Sequence, residues 1–303
     1  MMMPEKIPVL DELVTANVIP NDYQLVSTNN KFVVLSQQEK IVARLSKKTL
    51  AENRDDPQDL CYSHGISWFA GIASPVVQPF SPNIQQFEDW TISKYPLLNQ
   101  NGGLTKRDIP GLVYLLDSVG EALEDVRNNI PLRRLNVAQY VTERVQTLPP
   151  SAPSKQSDFL RSSLDFMNQR YPFQELCEAP VLIHGDMKKD NIVRDERGNL
   201  MAIDLDAAAI GPRFYDLASW RLRNHMGDEA PIEKIVEHKR KTKAWDEEQY
   251  RALIGWKAIS SMSFVLRYGN VLNSSDFDRI VASAVTLDGL SLQDYEQYQK
   301  DSA

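Results

Sequence analysis

A chain of 303 residues with 42% apolar and 25% charged residues can bury a sizeable core, which excludes a disordered chain and leaves room for one large domain or two smaller ones. Acids outnumber bases 41 to 34, and the net charge of −7 speaks against nucleic acid as a partner. Cys61 and Cys177 stand alone, without a CxxC pair or a His cluster, and Met1 to Val14 lacks a signal-peptide pattern. With no run of about 18 apolar residues, the expectation is a cytoplasmic protein with no membrane span.

The first third reads as strands and turns. Tyr23–Ser27, Phe32–Leu35 and Ile41–Leu45 are short β-branched runs separated by polar turns, the pattern of antiparallel hairpins. A helix is expected over Asp59–Ile72, and a further strand over Asp89–Tyr95 stops at Pro96. Asn99 to Gly103 reads as a loop. Apolar residues then recur at helical steps through Leu112, Leu115, Leu116, Val119, Ala122, Leu123 and Val126, predicting one amphipathic helix capped by Thr105 or Asp108. Helices are expected over Asn136–Leu148 and Asp158–Gln169, joined by the Pro-rich connector Pro149–Ser154, and three more from Asp246 to the end, the longest over Glu247–Leu266. The fold class expected is α+β: a small antiparallel β lobe over residues 1–95, then a larger, mainly helical lobe over 96–303.

Chemistry concentrates in Pro180–Trp220. Val181–Ile183 runs into His184-Gly185-Asp186, and Asn191 follows five residues after Asp186. Ile192-Val193 and Leu200–Ile203 flank the turn Asp195–Asn199, predicting a hairpin that folds Asp204 back towards Asp186 and Asn191. Three oxygen-bearing side chains directed at one small volume suit phosphoryl transfer. Asn191 and Asp204 are hard oxygen ligands for Mg²⁺, which prefers few carboxylates together with phosphate oxygens and water. Asp186 is then free to orient an acceptor hydroxyl and take its proton; the run His184 to Asn191 resembles the protein-kinase catalytic-loop pattern, which implies for Lys188, two residues on, contact with the transferred phosphate. His-Gly-Asp by itself is equally compatible with a surface turn; Asn191 and Asp204 in register are what favour the catalytic reading.

The run His184 to Asn191, the segment Ile203-Asp204-Leu205-Asp206, and Gly211-Pro212-Arg213-Phe214-Tyr215-Asp216-Leu217-Ala218 together resemble the aminoglycoside phosphotransferase and choline kinase-like family, small-molecule kinases with a bilobal protein-kinase-like fold. The resemblance is specific over about 40 residues and extends to the rest as lobe order. It implies ATP or GTP as co-substrate, Mg²⁺, and a small hydroxyl-bearing acceptor. It also makes Asp216 a buttress of the catalytic loop rather than a ligand, and His184 a packed residue that holds that loop. Asp206 is left as either a secondary metal contact or a capped loop residue.

By the same resemblance, Ile41-Val42-Ala43-Arg44 stands where kinases keep a phosphate-anchoring Lys, so Arg44 takes that role. Val42 and Ile203 would face the base from either side. Ser27 lies in the phosphate-covering loop, which has no Gly between Leu25 and Val33 and so departs from the Gly-rich pattern. Glu52 and Asp59 are both candidates to pair with Arg44, and the base-reading hinge is expected within Trp90–Tyr95. Aminoglycoside-like antibiotics, macrolides, choline-like amines and amino sugars all remain open as acceptors, and resistance to such an antibiotic is one implied role. A polycationic acceptor would call on Asp246-Glu247-Glu248 or on Asp276 and Asp278, yet Arg221 to Ala303 carries 13 acids against 12 bases. The basic run His238–Lys243 reads most simply as a solvated face. The competing reading is a catalytically idle, kinase-like protein that binds only a nucleotide or a protein partner, favoured by the Gly-free loop and disfavoured by an intact base and metal-ligand set.

Overall fold

In the computed structural model, which describes residues 8–28, 31–47, 57–100, 104–225, 231–268 and 274–300, the elements begin with α1 (Pro8–Thr15), β1 (Gln24–Thr28), β2 (Lys31–Ser36), β3 (Ile41–Lys47), α2 (Pro57–Ala73), β4 (Gln85–Phe87), β5 (Trp90–Pro96) and β6 (Asn99–Gln100). They continue with α3 (Ile109–Glu121), α4 (Leu123–Arg127), α5 (Val137–Gln146), α6 (Ser154–Arg170), β7 (Val181–Ile183), β8 (Ile192–Arg194), β9 (Leu200–Ala202) and β10 (Ala209–Gly211). The chain closes with α7 (Tyr215–His225), α8 (Ile232–Lys239), α9 (Glu247–Tyr268), α10 (Ser274–Thr286) and α11 (Leu292–Lys300). Two compact units result: one within Met1–Gly102, Glu121–Leu132 and Asp190–Ala208, the other within Gly103–Gly120, Arg133–Lys189 and Ala209–Ala303. Among the described residues no helix is long and apolar enough to cross a membrane.

The first unit is organised by a five-stranded antiparallel sheet in the order β1-β2-β3-β5-β4. Alternation along β3 sets its two faces. Ala43 and Leu45 point into an apolar cluster with Val34, Trp90, Ile92, and with Leu10 and Leu13 of α1. Val42, Arg44 and Ser46 point the other way, where α2 packs and Arg44 meets Ser63 at 3.4 Å. Burying each large side chain of that cluster contributes about 1.5–3 kcal/mol. Helix α1 has no counterpart in the sequence reading: at eight residues it is too short for its periodicity to stand out, and it is a helix because the sheet takes its Leu10 and Leu13. The hairpin β8–β9 belongs to the same unit. Ala202 donates to the Pro75 carbonyl at 2.8 Å and accepts from Val77 at 2.9 Å, tying the hairpin to the segment after α2, while β6 pairs with β8.

The second unit is built round α9, which is buried on nearly every side by α5, α6, α7 and α10, as expected of a helix apolar almost all round. Its Trp256 stacks edge-on to Phe173 at 5.7 Å and donates to the Tyr171 carbonyl. Two expectations need correcting. The helix expected through Leu112 to Val126 is two, because the pattern of buried residues continues past Gly120 while the backbone turns at Ala122 before α4. Gly120, among the poorest helix formers, lies in the last turn of α3 and weakens the helix just ahead of that break. Helix α6 starts at Ser154, four residues before the expected Asp158, with Pro153 preset at its N-cap. Both proposed caps of α3 are used: Thr105 and Asp108 form a reciprocal capping box on a 3₁₀ turn, Lys106–Asp108, that leads into the helix.

At Gly255, a methyl group would stand 2.3 Å from the Gly289 carbonyl oxygen, backbone that cannot swing aside. Gly255→Ala is therefore expected to destabilise the protein by about 1–3 kcal/mol through overpacking, read as a lower denaturant midpoint at unchanged slope. An unchanged midpoint would show that α9 and the turn before α11 separate freely.

Candidate active site

The second unit presents Asp186 on the loop after β7. That loop is held by Asp216, at the start of α7, whose carboxylate accepts the backbone N–H of His184 at 2.7 Å and of Gly185 at 2.8 Å. Gly185 has φ of 80°, in the left-handed region where a side chain is disfavoured, which is why a glycine separates His184 from Asp186. Asp216 is 7% exposed and His184 fully buried, so the buttress and packing roles expected of them are the ones observed. Burial pushes the Asp216 carboxyl upward, and the neighbouring His184 and the two backbone donors pull against it.

Asp186 itself is engaged at both oxygens. Lys188 Nζ donates to Oδ2 at 2.8 Å, and Arg223 Nη2, from α7, donates to Oδ1. Burial alone would raise the Asp186 carboxyl. The Arg223 guanidinium, the Lys188 hydrogen bond and charge, and the charge of Lys257 on α9 outweigh it and hold the carboxyl below its ordinary value. Asp186 therefore stays ionised through neutral pH. The stability it contributes is present above pH ~4 and lost as pH falls through its lowered value. Each carboxylate oxygen can accept more than one hydrogen bond, so a hydroxyl can still be oriented there.

Lys257 carries no motif, yet its charge acts on this carboxylate. Its side chain is partly accessible, but enough protein surrounds the ammonium that desolvation, with Arg223 and Arg144 nearby, pulls its pKa down to about 8 against the opposing pull of Asp186 and Asp216. Sequence reasoning missed Arg223 and Lys257. The available signal was a lone basic residue between buried neighbours on a helix apolar almost all round.

In the first unit, Ile203 donates to the Asn191 carbonyl at 3.0 Å, which sets the Asn191 and Asp204 backbones side by side. Asn191 is buried, and Asp204 takes up a left-handed conformation, φ 64° and ψ 60°, ahead of the 3₁₀ turn Leu205–Ala207. A non-glycine residue there carries strain of about 1 kcal/mol or more. Among the described residues no group of three or more His, Cys, Asp or Glu forms a metal site. The donor set fits a hard cation held by an amide oxygen, a carboxylate and phosphate oxygens, and does not fit zinc.

Arg44 grips Asp206 with both arms of its fork, Nη1 to Oδ1 at 2.5 Å and Nη2 to Oδ2 at 2.8 Å, and its Nη1 lies 3.5 Å from Asp204 Oδ1. Asp206, which the sequence reading left as a metal contact or loop cap, is thus a partner of the phosphate-anchor candidate. Of the two acids proposed for Arg44, Glu52 lies outside the described residues, and Asp59 opens α2. Val42 and Ile203 are each half-buried; Ser27 lies in β1, with its side chain outside what is described. Trp90–Tyr95, the expected hinge, is paired along its length with β3. The basic run His238–Lys243 is not simply solvated: Lys239 is buried and paired with Asp117, and Arg240 forks onto Glu247 at 2.8 and 3.0 Å.

Residues 103–253 match the family model described as the phosphotransferase enzyme family. No curated protein matches the sequence. Solved structures share the fold. One is a thermostable mutant of aminoglycoside phosphotransferase APH(4)-Ia in ternary complex with ADP and hygromycin B, 16% identical, TM-score 0.61, with 93% of this chain and 98% of that one covered. A second is an APH(2″)-type enzyme bound to GDP and kanamycin, 14% identical, TM-score 0.67, covering 96% and 99%. A third is the choline kinase LicA from Streptococcus pneumoniae, 13% identical, TM-score 0.66, covering 92% and 98%. The α+β, protein-kinase-like fold expected from the sequence is the one observed.

Asp216→Asn keeps the shape but leaves one acceptor oxygen for two N–H donors, so one donor goes unpaired in a buried loop at a cost of about 1–3 kcal/mol. Hydrogen exchange at the His184 and Gly185 amides is expected to accelerate. Unchanged protection at both would mean that the loop is held by other contacts.

Proposed function

We propose that this chain, a member of the phosphotransferase enzyme family by its match over residues 103–253, is a nucleotide-dependent O-phosphotransferase that moves the γ-phosphate of ATP or GTP to a hydroxyl of a small molecule. The observation that carries this reading is Asp186, a carboxylate kept ionised on a clamped loop with a lysine at its side. Structural neighbours that bind ADP or GDP beside an aminoglycoside, and a choline kinase of the same fold, support a nucleotide co-substrate and a small-molecule acceptor, with aminoglycoside-like antibiotics among the candidates.

We read Asp186, Asn191 and Asp204 as one constellation, with residues 1–95 as the nucleotide-binding lobe and 96–303 as the catalytic and substrate lobe. Asp186 accepts a hydrogen bond from the acceptor hydroxyl and aims its oxygen at the γ-phosphorus. A new O–P bond forms, the bond from that phosphorus to the β–γ bridging oxygen breaks, and the hydroxyl proton passes to Asp186 late in a largely dissociative transfer. Lys188 stabilises charge on the transferred group. Arg44 anchors phosphate oxygens through a fork that Asp206 orients, and Ser27, Val42 and Ile203 line the nucleotide. Asn191 and Asp204 would hold Mg²⁺, which when bound neutralises phosphate charge.

Asp186→Asn retains shape and hydrogen bonding but not the proton sink. It is expected to lower kcat by roughly 10²- to 10⁴-fold with little change in nucleotide affinity. Steady-state turnover on an acceptor found by screening, beside nucleotide calorimetry, checks this. Retained turnover would move the base elsewhere, and loss of nucleotide binding would make Asp186 a metal ligand.

Asp204→Ala is expected to abolish the Mg²⁺ dependence of nucleotide binding and weaken affinity at saturating Mg²⁺ by about tenfold or more, since triphosphate charge is then poorly offset. Calorimetry with and without Mg²⁺ decides it. Wild-type affinity with unchanged Mg²⁺ dependence would remove Asp204 from the metal site.

A further inference from the structure

Two basic side chains of the second unit donate to Asp186, Lys188 from its own loop and Arg223 from α7, and the charge of a third, Lys257 on α9, reaches it from over the ring of Tyr215, the residue before Asp216. Two carboxylates stand against them, and Asp216 already accepts two backbone N–H groups. Arg144 adds positive charge that reaches Lys257. Among these groups, cations outnumber carboxylates around Asp186, and their combined field there is positive.

These cations also have donors to spare. Arg223 uses one of its five N–H donors on Asp186. The Lys257 ammonium makes no hydrogen bond to a described residue; the ring of Tyr215, 5.7 Å away, is its recorded contact. Lys257 is drawn to both Asp186 and Asp216, yet Asp186 already accepts from two other cations and Asp216 from two backbone N–H groups, and neither carboxylate takes a hydrogen bond from this lysine. Four of the five acids that a polycationic acceptor would call on are meanwhile committed elsewhere, Glu248 being the exception among the described residues. Glu247 accepts from Arg240, Arg251 and Trp245, Asp246 from the Gln249 N–H, and Asp278 from Tyr298, while Asp276 faces Arg279.

We propose that Arg223 and Lys257 form an oxyanion-binding subsite, so that the acceptor is a small hydroxyl compound bearing a carboxylate or phosphate group close to the hydroxyl presented to Asp186. The subsite rests on the phosphotransferase reading above and narrows its acceptor. Guanidinium and ammonium together suit either oxyanion, the fork holding two oxygens and the ammonium a third contact.

The test is a nucleotide-consumption and product assay of the full chain on acceptors matched in scaffold and differing in charge: glycerol, serinol, glycerate and glycerol 3-phosphate; and glucose, glucosamine, glucuronate and glucose 6-phosphate. An acid is expected to lead its neutral parent by about tenfold or more in kcat/KM, with the carboxylate and phosphate arms identifying which oxyanion is preferred. Lys257→Gln should raise the KM of that acid by about tenfold while the nucleotide KM stays within about twofold, and Lys257→Arg should restore it. A neutral or cationic best acceptor, or an unmoved acid KM in Lys257→Gln, overturns the subsite while leaving the phosphotransferase standing. The wild-type ranking decides the matter even if the variants do not fold. No turnover on any compound also overturns the subsite, and Mg²⁺-dependent nucleotide calorimetry then shows whether the phosphotransferase reading falls with it.

Discussion

Everything proposed for Asp186 depends on a carboxylate that does no chemistry. Asp216 sits inside the second unit and accepts the N–H groups of His184 and Gly185, the two residues that immediately precede Asp186. Charged acceptors make stronger bonds than neutral ones, and two from one side chain hold both the position and the orientation of a short loop. The positive φ at Gly185 is the conformational consequence, because the chain must turn back sharply for both amides to reach the same carboxylate. In the proposed reaction, a carboxylate placed this way is pre-organised before any substrate arrives, and pre-organisation is where most of the rate in phosphoryl transfer originates.

A comparable arrangement governs the first unit. Arg44 is one of the outward residues of β3, and the alternation that sends Ala43 and Leu45 into the apolar cluster turns its side chain to the opposite face of the sheet. There a carboxylate from the turn after β9 meets it in a two-point grip. The pair fixes a long, flexible side chain in one geometry and brings a cation close to Asp204, itself in a strained left-handed conformation. Strain of this kind persists where surrounding structure over-determines it, and here the Ile203 to Asn191 hydrogen bond and the Arg44 fork do so.

The two units differ in electrostatic character. The first pairs one buried cation with two acids of a single turn, an arrangement suited to a site where phosphate and metal charges must balance. The second sets basic side chains around the proposed reacting carboxylate, and Glu247, Asp276 and Asp278 on its α9 and α10 are tied to neighbouring arginines and a tyrosine. That asymmetry, rather than net charge, bears on what the acceptor carries.

Local signals were legible in the sequence. Alternation marked β1, β2 and β3; Asn136 and Thr105 marked helix starts; and the His184 to Asn191 run with Asp204 and Asp216 marked the candidate site, because each is written in residues close together along the chain. Periodicity, however, reports which face is buried and not what lies against it. It ran one helix through the turn at Ala122, read Lys239 as solvated although Asp117 pairs with it from α3, and had no means of joining Arg44 to Asp206 across 162 residues. Arg223 and Lys257 stayed hidden for the same reason: each is an ordinary helical residue until packing of α7 and α9 brings both charges to bear on Asp186. The sequence alone determined many of the elements, though not α1, α7 or α8, and singled out the motif around Asp186, whereas only the tertiary structure decided which charges meet, since ion pairing between distant residues depends on how helices and strands pack.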